Sequence, residues 1–337
     1  MAVREGPGRP RIVVVGPVNM DLFIRGEAPL DREALNVWVG SPEVDLLVAG
    51  SIGYTLQVFA RLGDAVEACT TVGSDAFGTH IRQELEEGGV DCRRVTRATG
   101  ETAIAIYMML FGGLKRPLAV RMPGFEPWPD PPLILDEGGP APALVHSGGL
   151  LHFPGMWHRG LAADFERARG AGALTSLDPQ FPLVDTPAPW LPHIADVVRH
   201  SEVLLCDETE ARMLFDVGSP RDAIAPAHAA GPRIVAIKRG AAGALISDGR
   251  SVIAQPAVPV DQSLIRESVG AGDAFDAGLL DALIRGHDLA DAARWGTAAA
   301  SLSLTGGGGA RGITGRADVE AQLRRVPPAA TTARVDR

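Results

Sequence analysis

The segment Ile12–Gly16 reads IVVVG, an unbroken β-branched run of the kind found in strands buried on both faces of a parallel sheet. Similar short apolar runs recur at Ala68–Val72, Leu150–Phe153, Leu174–Leu177, Val203–Cys206 and Ile234–Ile237, each expected to be a strand. Stretches of helical period lie between them. Leu56, Phe59 and Ala60 fall at i, i+3, i+4 and are followed by Gly63, while Phe77, Ile81 and Leu85 lie four apart ahead of Gly88. Glu208–Phe215 reads as another helix. Strands alternating with helices predict βαβ units and a mostly parallel α/β sheet.

Two stretches break that rhythm. Residues 22–48 and 102–120 have strand character with few helical repeats, as expected of extra strands projecting from the sheet as a lid. Pro123–Pro142, rich in Pro, Gly and acid, reads as an exposed loop. The expected organisation is one domain over 10–325, lid strands from those two stretches, and a flexible tail over 326–337.

A net charge of −9 argues against a nucleic-acid partner, which needs clustered Lys and Arg. The 46% apolar and 22% charged content excludes disorder along the whole chain. No apolar run approaches the ~20 residues that span a bilayer, so no membrane partner is expected. The opening MAVREGPGRPR lacks an apolar core, so no secretory signal is expected, and Cys69, Cys92 and Cys206 are scattered without CxxC spacing. These features predict a reduced, cytoplasmic protein.

The most informative local pattern is Glu267-Ser-Val-Gly-Ala-Gly-Asp-Ala-Phe-Asp-Ala-Gly278. Gly270, Ala271 and Gly272 lead into a helix whose apolar face is Phe275, Leu279 and Ala282. Small residues at a helix N-terminus leave N–H groups open at the positive end of the dipole, which suits an anion. Asp273, in the first turn, is placed to take a proton from a hydroxyl attacking a phosphoryl group. Taken alone, the same residues could be a turn and a cap.

The whole string resembles the C-terminal signature of the PfkB (ribokinase-like) carbohydrate kinase family, D-T-x-G-A-G-D-x-F, with Glu267-Ser268 in place of Asp-Thr. The resemblance implies that Gly270, Ala271 and Gly272 form an anion hole and that Asp273 is the general base. It extends along the chain. Asn19-Met-Asp21 after the first strand is similar to the family's N-x-D turn, whose aspartate holds substrate hydroxyls. Ala49-Gly-Ser-Ile-Gly-Tyr-Thr-Leu56 resembles its first signature, placing Gly50, Ser51 and Tyr54 at the acceptor. Val72-Gly-Ser-Asp-Ala-Phe-Gly78 matches V-G-x-D-x-F-G, read here as a strand–turn–helix corner.

Asp207-Glu-Thr-Glu210 is similar to N-x-x-E, which implies that Glu210, with Asp207, organises Mg²⁺ through water. Lys238-Arg-Gly-Ala-Ala-Gly243 looks like [KT]-x-G-x-x-G, which implies that Lys238, Gly240 and Gly243 line the ATP phosphates. Thr297, read as opening a helix over 297–304, aligns with a position bordering the adenine. Gly307–Gly312 satisfies GxGxxG but follows a helix, so it is read as a loop that in relatives lies near a carbonyl-built K⁺ site. The implied fold is a three-layer α/β/α sandwich with a mainly parallel sheet and a small β-strand lid. The implied activity is ATP-dependent phosphorylation of a hydroxyl on a sugar or polyol, with ATP, Mg²⁺ and K⁺ as cofactors.

Departures from the family pattern bear on the acceptor. Tyr54 stands where asparagine is usual, Asp207 replaces asparagine, and in Asp178-Pro-Gln-Phe-Pro182 both Gln180 and Pro182 depart from D-P-N-x-R. A nucleoside kinase and a catalytically silent ligand-binding member remain alternative readings. Exposed lid strands also offer edges for a homodimer.

Overall fold

The computed structural model describes residues 9–111, 118–128, 141–158, 160–265 and 268–334. The opening run forms β1 (Arg11–Val15). It lies between two parallel neighbours, β4 (Ala65–Gly73) and β8 (Leu144–Gly148). Beyond β4 is β5 (Asp91–Ala98). Beyond β8 follow β9 (Leu174–Asp178), β10 (Val203–Asp207), β11 (Ile234–Lys238), β12 (Ala244–Ser247), β13 (Ser251–Gln255) and β14 (Ala330–Arg334). Among the described residues the order is β5-β4-β1-β8-β9-β10-β11-β12-β13-β14. Pairing is parallel from β5 to β11 and antiparallel beyond.

Successive side chains of a strand point to opposite faces, and this divides the core. Ile12 and Val14 join a cluster with Leu56 and Phe59 of α2 (Gly53–Arg61) and Ile81 and Leu85 of α3 (Ala76–Glu87). The same cluster takes in the buried faces of α8 (Ala271–Ile284) and α9 (Leu289–Thr305), and Val319 of α10 (Arg316–Leu323). Val13 and Val15 instead meet Leu161 and Phe165 of α4 (Leu161–Gly170), and the inner faces of α5 (Ala195–His200), α6 (Glu208–Phe215) and α7 (Ile224–Ala230). The outcome is the expected three-layer α/β/α sandwich.

A second sheet stands apart. Its order is β3-β2-β6-β7, from β2 (Asn19–Arg25), β3 (Glu43–Ala49), β6 (Ile104–Met109) and β7 (Leu118–Arg121), with a short helix α1 (Arg32–Asn36) between β2 and β3. These are the lid strands expected from 22–48 and 102–120, of which 112–117 lie outside the described residues. Asp75 fastens the lid to the sandwich: its carboxylate caps α3 by accepting from the Gly78 N–H at 2.8 Å and also holds the Thr102 N–H at 2.9 Å. The Val72–Gly78 motif is therefore a structural corner, as read.

Several expectations need correction. Leu150–Phe153 is not a strand; residues 150–152 form a 3₁₀ turn, and the strand is the preceding LVHSG. Its polar residues hid it, but His146 is buried and its Nδ1 lies 2.9 Å from the Ser176 Oγ on β9. The last long helix starts at Leu289 rather than Thr297, because Asp288 caps it by accepting from the Asp291 N–H. Residues 330–334, expected to be a flexible tail, add a strand to the sheet edge. Trp128 is buried although it falls in the expected loop, most of which (129–140) lies outside the described residues. No helix among the described residues is long and apolar enough to cross a membrane.

Contact between α8 and α9 depends on Gly278. A Cβ there would lie 2.8 Å from the Trp295 carbonyl oxygen and 2.9 Å from the Ala299 Cβ. Gly278→Val is expected to lower stability by about 1–3 kcal/mol, read as an earlier urea midpoint with an unchanged slope. An unaltered midpoint would contradict this packing.

Candidate active site

Three adjacent parallel strands end in charged residues: β9 in Asp178, β10 in Asp207 and β11 in Lys238. Carboxyl ends of parallel strands are where open α/β sheets bind ligands. Here they open into a cavity of 1060 Å³ that the lid strands wall on another side.

Lys238 is the electrostatic centre of this end of the sheet. Its Nζ donates to Asp178 Oδ2 at 2.7 Å and to Asp276 Oδ2 at 2.9 Å. Burial opposes the ammonium charge, but Asp178, Asp276 and Glu210 outweigh it and hold the pKa well above the usual lysine value. Burial also pushes both carboxyls up. For Asp178 the adjacent ammonium prevails and the net shift is downward, whereas Asp276 ends well above the usual range. Asp276 is thus the more readily protonated of the two carboxyls, and Asp178 the one held ionised beside the ammonium. Lys238, expected along the ATP phosphates, lines the cavity but spends two donors on these carboxyls.

Gly270 opens α8 at φ +83°, a conformation that favours glycine. Ala271, Gly272 and Asp273 follow in the first turn, on the cavity wall with Gly270. Glu267, the motif's first residue, lies outside the described residues. Burial raises the Asp273 pKa to about 7, with Asp178 and Asp21 adding to the shift and Lys238 opposing it. Gln180 reaches the same carboxyl, Nε2 to Oδ1 at 3.5 Å. This residue of the DPQFP string, noted only as a departure, is thus beside Asp273.

Across the cavity, Asp21 has a partner on each oxygen. Asn19 Nδ2 donates to Oδ1 at 2.7 Å and the Tyr54 hydroxyl to Oδ2 at 2.9 Å. Burial, with Asp21 beside it, pushes the Tyr54 phenol well above its usual pKa, so it remains a donor. Gly50 is required by closeness: a Cβ would sit 2.6 Å from Asn19 Oδ1. Ser51 Oγ lies 3.0 Å from His152 Nδ1, and burial lowers this histidine to about 4, so the ring is neutral. His152 also lines the cavity and was missed as a site residue, since nothing near it in the chain marks it.

Asp207 and Glu210 line the cavity while building a capping box for α6. Asp207 Oδ1 accepts from the Thr209 and Glu210 N–H groups, and Glu210 Oε2 from the Asp207 N–H, each at 2.7 Å. The second oxygen of each lies outside that box. Burial, with Asp178 and Asp207 nearby, raises Glu210 to about 8, and a divalent cation beside it would favour the ionised carboxylate. Oxygen-only donors with room for water suit Mg²⁺. Gly240 and Gly243 shape the β11–β12 turn on the cavity wall, whereas Thr297 is not on the wall: it is mid-helix, its hydroxyl donating to the Ala293 carbonyl.

The family model for pfkB family carbohydrate kinases matches residues 9–314. The chain belongs to that family. Its members are ATP-dependent phosphotransferases, and this chain is a carbohydrate kinase of that type. It is 34% identical over 312 residues to a ribokinase of Bacillus subtilis, covering 93% of this chain and 99% of that one. Its fold is similar to an Arabidopsis thaliana ribokinase solved with ribose and ATP, with a TM-score of 0.76 at 23% identity over 94% of this chain and 99% of that one. It is also similar to an Escherichia coli putative ribokinase II solved with ATP and Mg²⁺, with a TM-score of 0.74 at 19% identity over 94% and 99% of the two chains.

The raised pKa of Asp273 has a stability consequence. The folded state holds the proton more tightly than the unfolded chain, so this contribution is complete below about pH 4 and is lost as the pH rises through 7. Asp273→Asn, which never ionises, is expected to melt above the natural protein at pH 8, with the gap closing toward pH 4. A pH-independent gap would contradict the assigned pKa.

Proposed function

We propose that the protein transfers the terminal phosphoryl group of ATP to a hydroxyl of a small sugar or polyol, with Asp273 removing the hydroxyl proton. The observation that carries this reading is a carboxyl with a pKa raised to about 7, at the N-terminus of a helix, sharing one cavity with Asp21. A base with a pKa near the working pH combines a useful ionised fraction with a strong pull on the proton.

In this reading Asp21, braced by Asn19, orients the acceptor, with Gly50, Ser51 and Tyr54 shaping its pocket. The N–H groups of Gly270, Ala271, Gly272 and Asp273 face the charge on the moving phosphoryl oxygens. Lys238 acts as a fixed positive charge behind that loop. Gly240 and Gly243 let the β11–β12 turn lie close to the phosphates. Asp207 and Glu210 would hold Mg²⁺ through water, and the ion would neutralise phosphate charge when bound. K⁺ would bind carbonyls of the loop after α9. The lid limits entry of water, which would otherwise hydrolyse ATP. The β3 edge, with Val44 and Leu46 exposed, would pair two copies.

The test is ADP release with Mg-ATP against pooled sugars and polyols. Asp273→Asn is expected to lose at least ~100-fold in turnover while its affinity for Mg-ATP is kept. In the natural protein kcat/KM should rise about tenfold per pH unit below the Asp273 pKa of about 7 and level off above it. Near-normal turnover in the variant, or a flat profile between pH 5 and 8, would overturn the assignment.

A further inference from the structure

We infer that Gln180 positions the base: its side-chain amide holds one oxygen of the Asp273 carboxylate, so that the other faces the acceptor hydroxyl whose proton it takes. Gln180 is thus a positioning residue acting through Asp273, and the inference rests on the reading of Asp273 as the base.

The first support is the loop that carries Gln180. Its backbone has φ +56°, and among the described residues other than glycine only Asp216 shares a positive φ. Asp216 closes α6, where a left-handed residue is usual, whereas no helix ends at Gln180. A left-handed side chain outside such a cap is costly and persists only where its surroundings impose it. Here they do. The Gly149 N–H donates to the Asp178 carbonyl at 2.8 Å, and the Leu151 N–H to the Pro179 carbonyl at 3.0 Å. The Gln180 N–H turns back to Asp178 Oδ1 at 3.3 Å, while Oδ2 of that carboxylate takes the Lys238 ammonium at 2.7 Å. Phe181 lies edge-on to His152, with centroids 5.2 Å apart. The loop is therefore tied on both sides to the end of β9.

The second support is what the amide meets. Gln180 lines the cavity with Asp273, and its Nε2 lies 3.5 Å from Oδ1, a hydrogen bond at its outer limit of the kind that tightens once substrate is engaged. The terminal torsion of an aspartate is broad, so a partner on one oxygen fixes where the other points. The type of side chain matters too. An amide donates without bringing charge, so it orients the carboxylate and leaves it a useful base, whereas an arginine or lysine would pull its pKa down. The other charged or titratable groups facing Asp273 are Asp178 of β9, Lys238 of β11, Asp21 of β2 and Tyr54 of α2. Asp178, Lys238 and Tyr54 each keep one protonation state across the neutral range.

The experiment measures kcat/KM against pH, with the acceptor that turns over in the Mg-ATP assay, for the natural protein, Gln180→Met and Gln180→Glu. Methionine keeps the length of the side chain without the donor; glutamate keeps its shape and adds a charge. Because the amide favours the ionised carboxylate, the rise of kcat/KM should move to higher pH by about half a unit to one unit in Gln180→Met, and further in Gln180→Glu. Plateau kcat should fall about tenfold in Gln180→Met with KM for Mg-ATP unchanged. That loss should vanish in an Asp273→Asn background, which has no base to position. Glu210, at about 8, titrates in the same range but is common to all these proteins. An unmoved rise, equal losses in the two backgrounds, or a raised KM for Mg-ATP, which would put the amide on the nucleotide, would overturn the inference.

Should Gln180→Met fail to fold, Gln180→Asn suits the left-handed backbone and draws the amide back by one methylene; it should move the rise in the same direction. Absence of turnover with all acceptors would count against the kinase reading alone. Melting at pH 8 then decides whether the side chain at 180 governs the Asp273 carboxylate. Asp273→Asn should raise the melting point by more in a Gln180→Glu background than in the natural one, because a second carboxylate makes the ionised Asp273 costlier. An equal rise in the two backgrounds would contradict the inference.

Discussion

The buried charge on Lys238 is the constraint around which this end of the molecule is arranged. An ammonium cannot be kept in a protein interior without partners, and its two lie on different elements, Asp178 at the end of β9 and Asp276 in the first turns of α8. The ion pair therefore ties the ends of two sheet strands to the helix that carries Asp273. Removing one partner would leave a buried charge uncompensated. The same cluster sets the electrostatics of its neighbours: Asp178 pushes Asp273 and Glu210 up while Lys238 pulls both down. Burial is the larger effect on Asp273 and outweighs the ammonium, so its pKa is raised to about 7.

The lid is the second half of the arrangement, and it is fastened as well as stacked. Asp75 grips Thr102 at the entrance to β6, and Asn19 and Asp21 belong to β2 itself. Any rotation of the lid sheet therefore moves the Asp21 carboxylate relative to Asp273. The three buried thiols take no part in the site, and burial pushes each above its usual pKa.

What was legible in the sequence is what short segments determine. The IVVVG run carried the parallel sheet, and the GAGD string carried the helix N-terminus with its carboxylate, because loop, helix start and carboxylate are neighbours in the chain. Asp276 stood in that same string, yet its role was invisible, since it is made by residues 98 and 38 positions away. Tyr54 was legible as a departure from a pattern; its hydrogen bond to Asp21, 33 residues earlier, was not. The strand LVHSG escaped because burial with satisfied hydrogen bonds lets polar residues occupy a core strand, and the neighbouring apolar LLHF drew the assignment instead. Thr297 was misplaced because the alanines before it carry little periodic signal, so the helix seemed to begin late.

The proposed reaction is phosphoryl transfer to an acceptor held between Asp21 and Asp273. Phosphorus NMR of the protein with Mg-ATP and a pool of uncharged alcohols, sugars and nucleosides tests it most directly. The predicted result is a new phosphomonoester resonance that grows in step with ADP. ADP accompanied only by inorganic phosphate, or no ADP with any member of the pool, would contradict it.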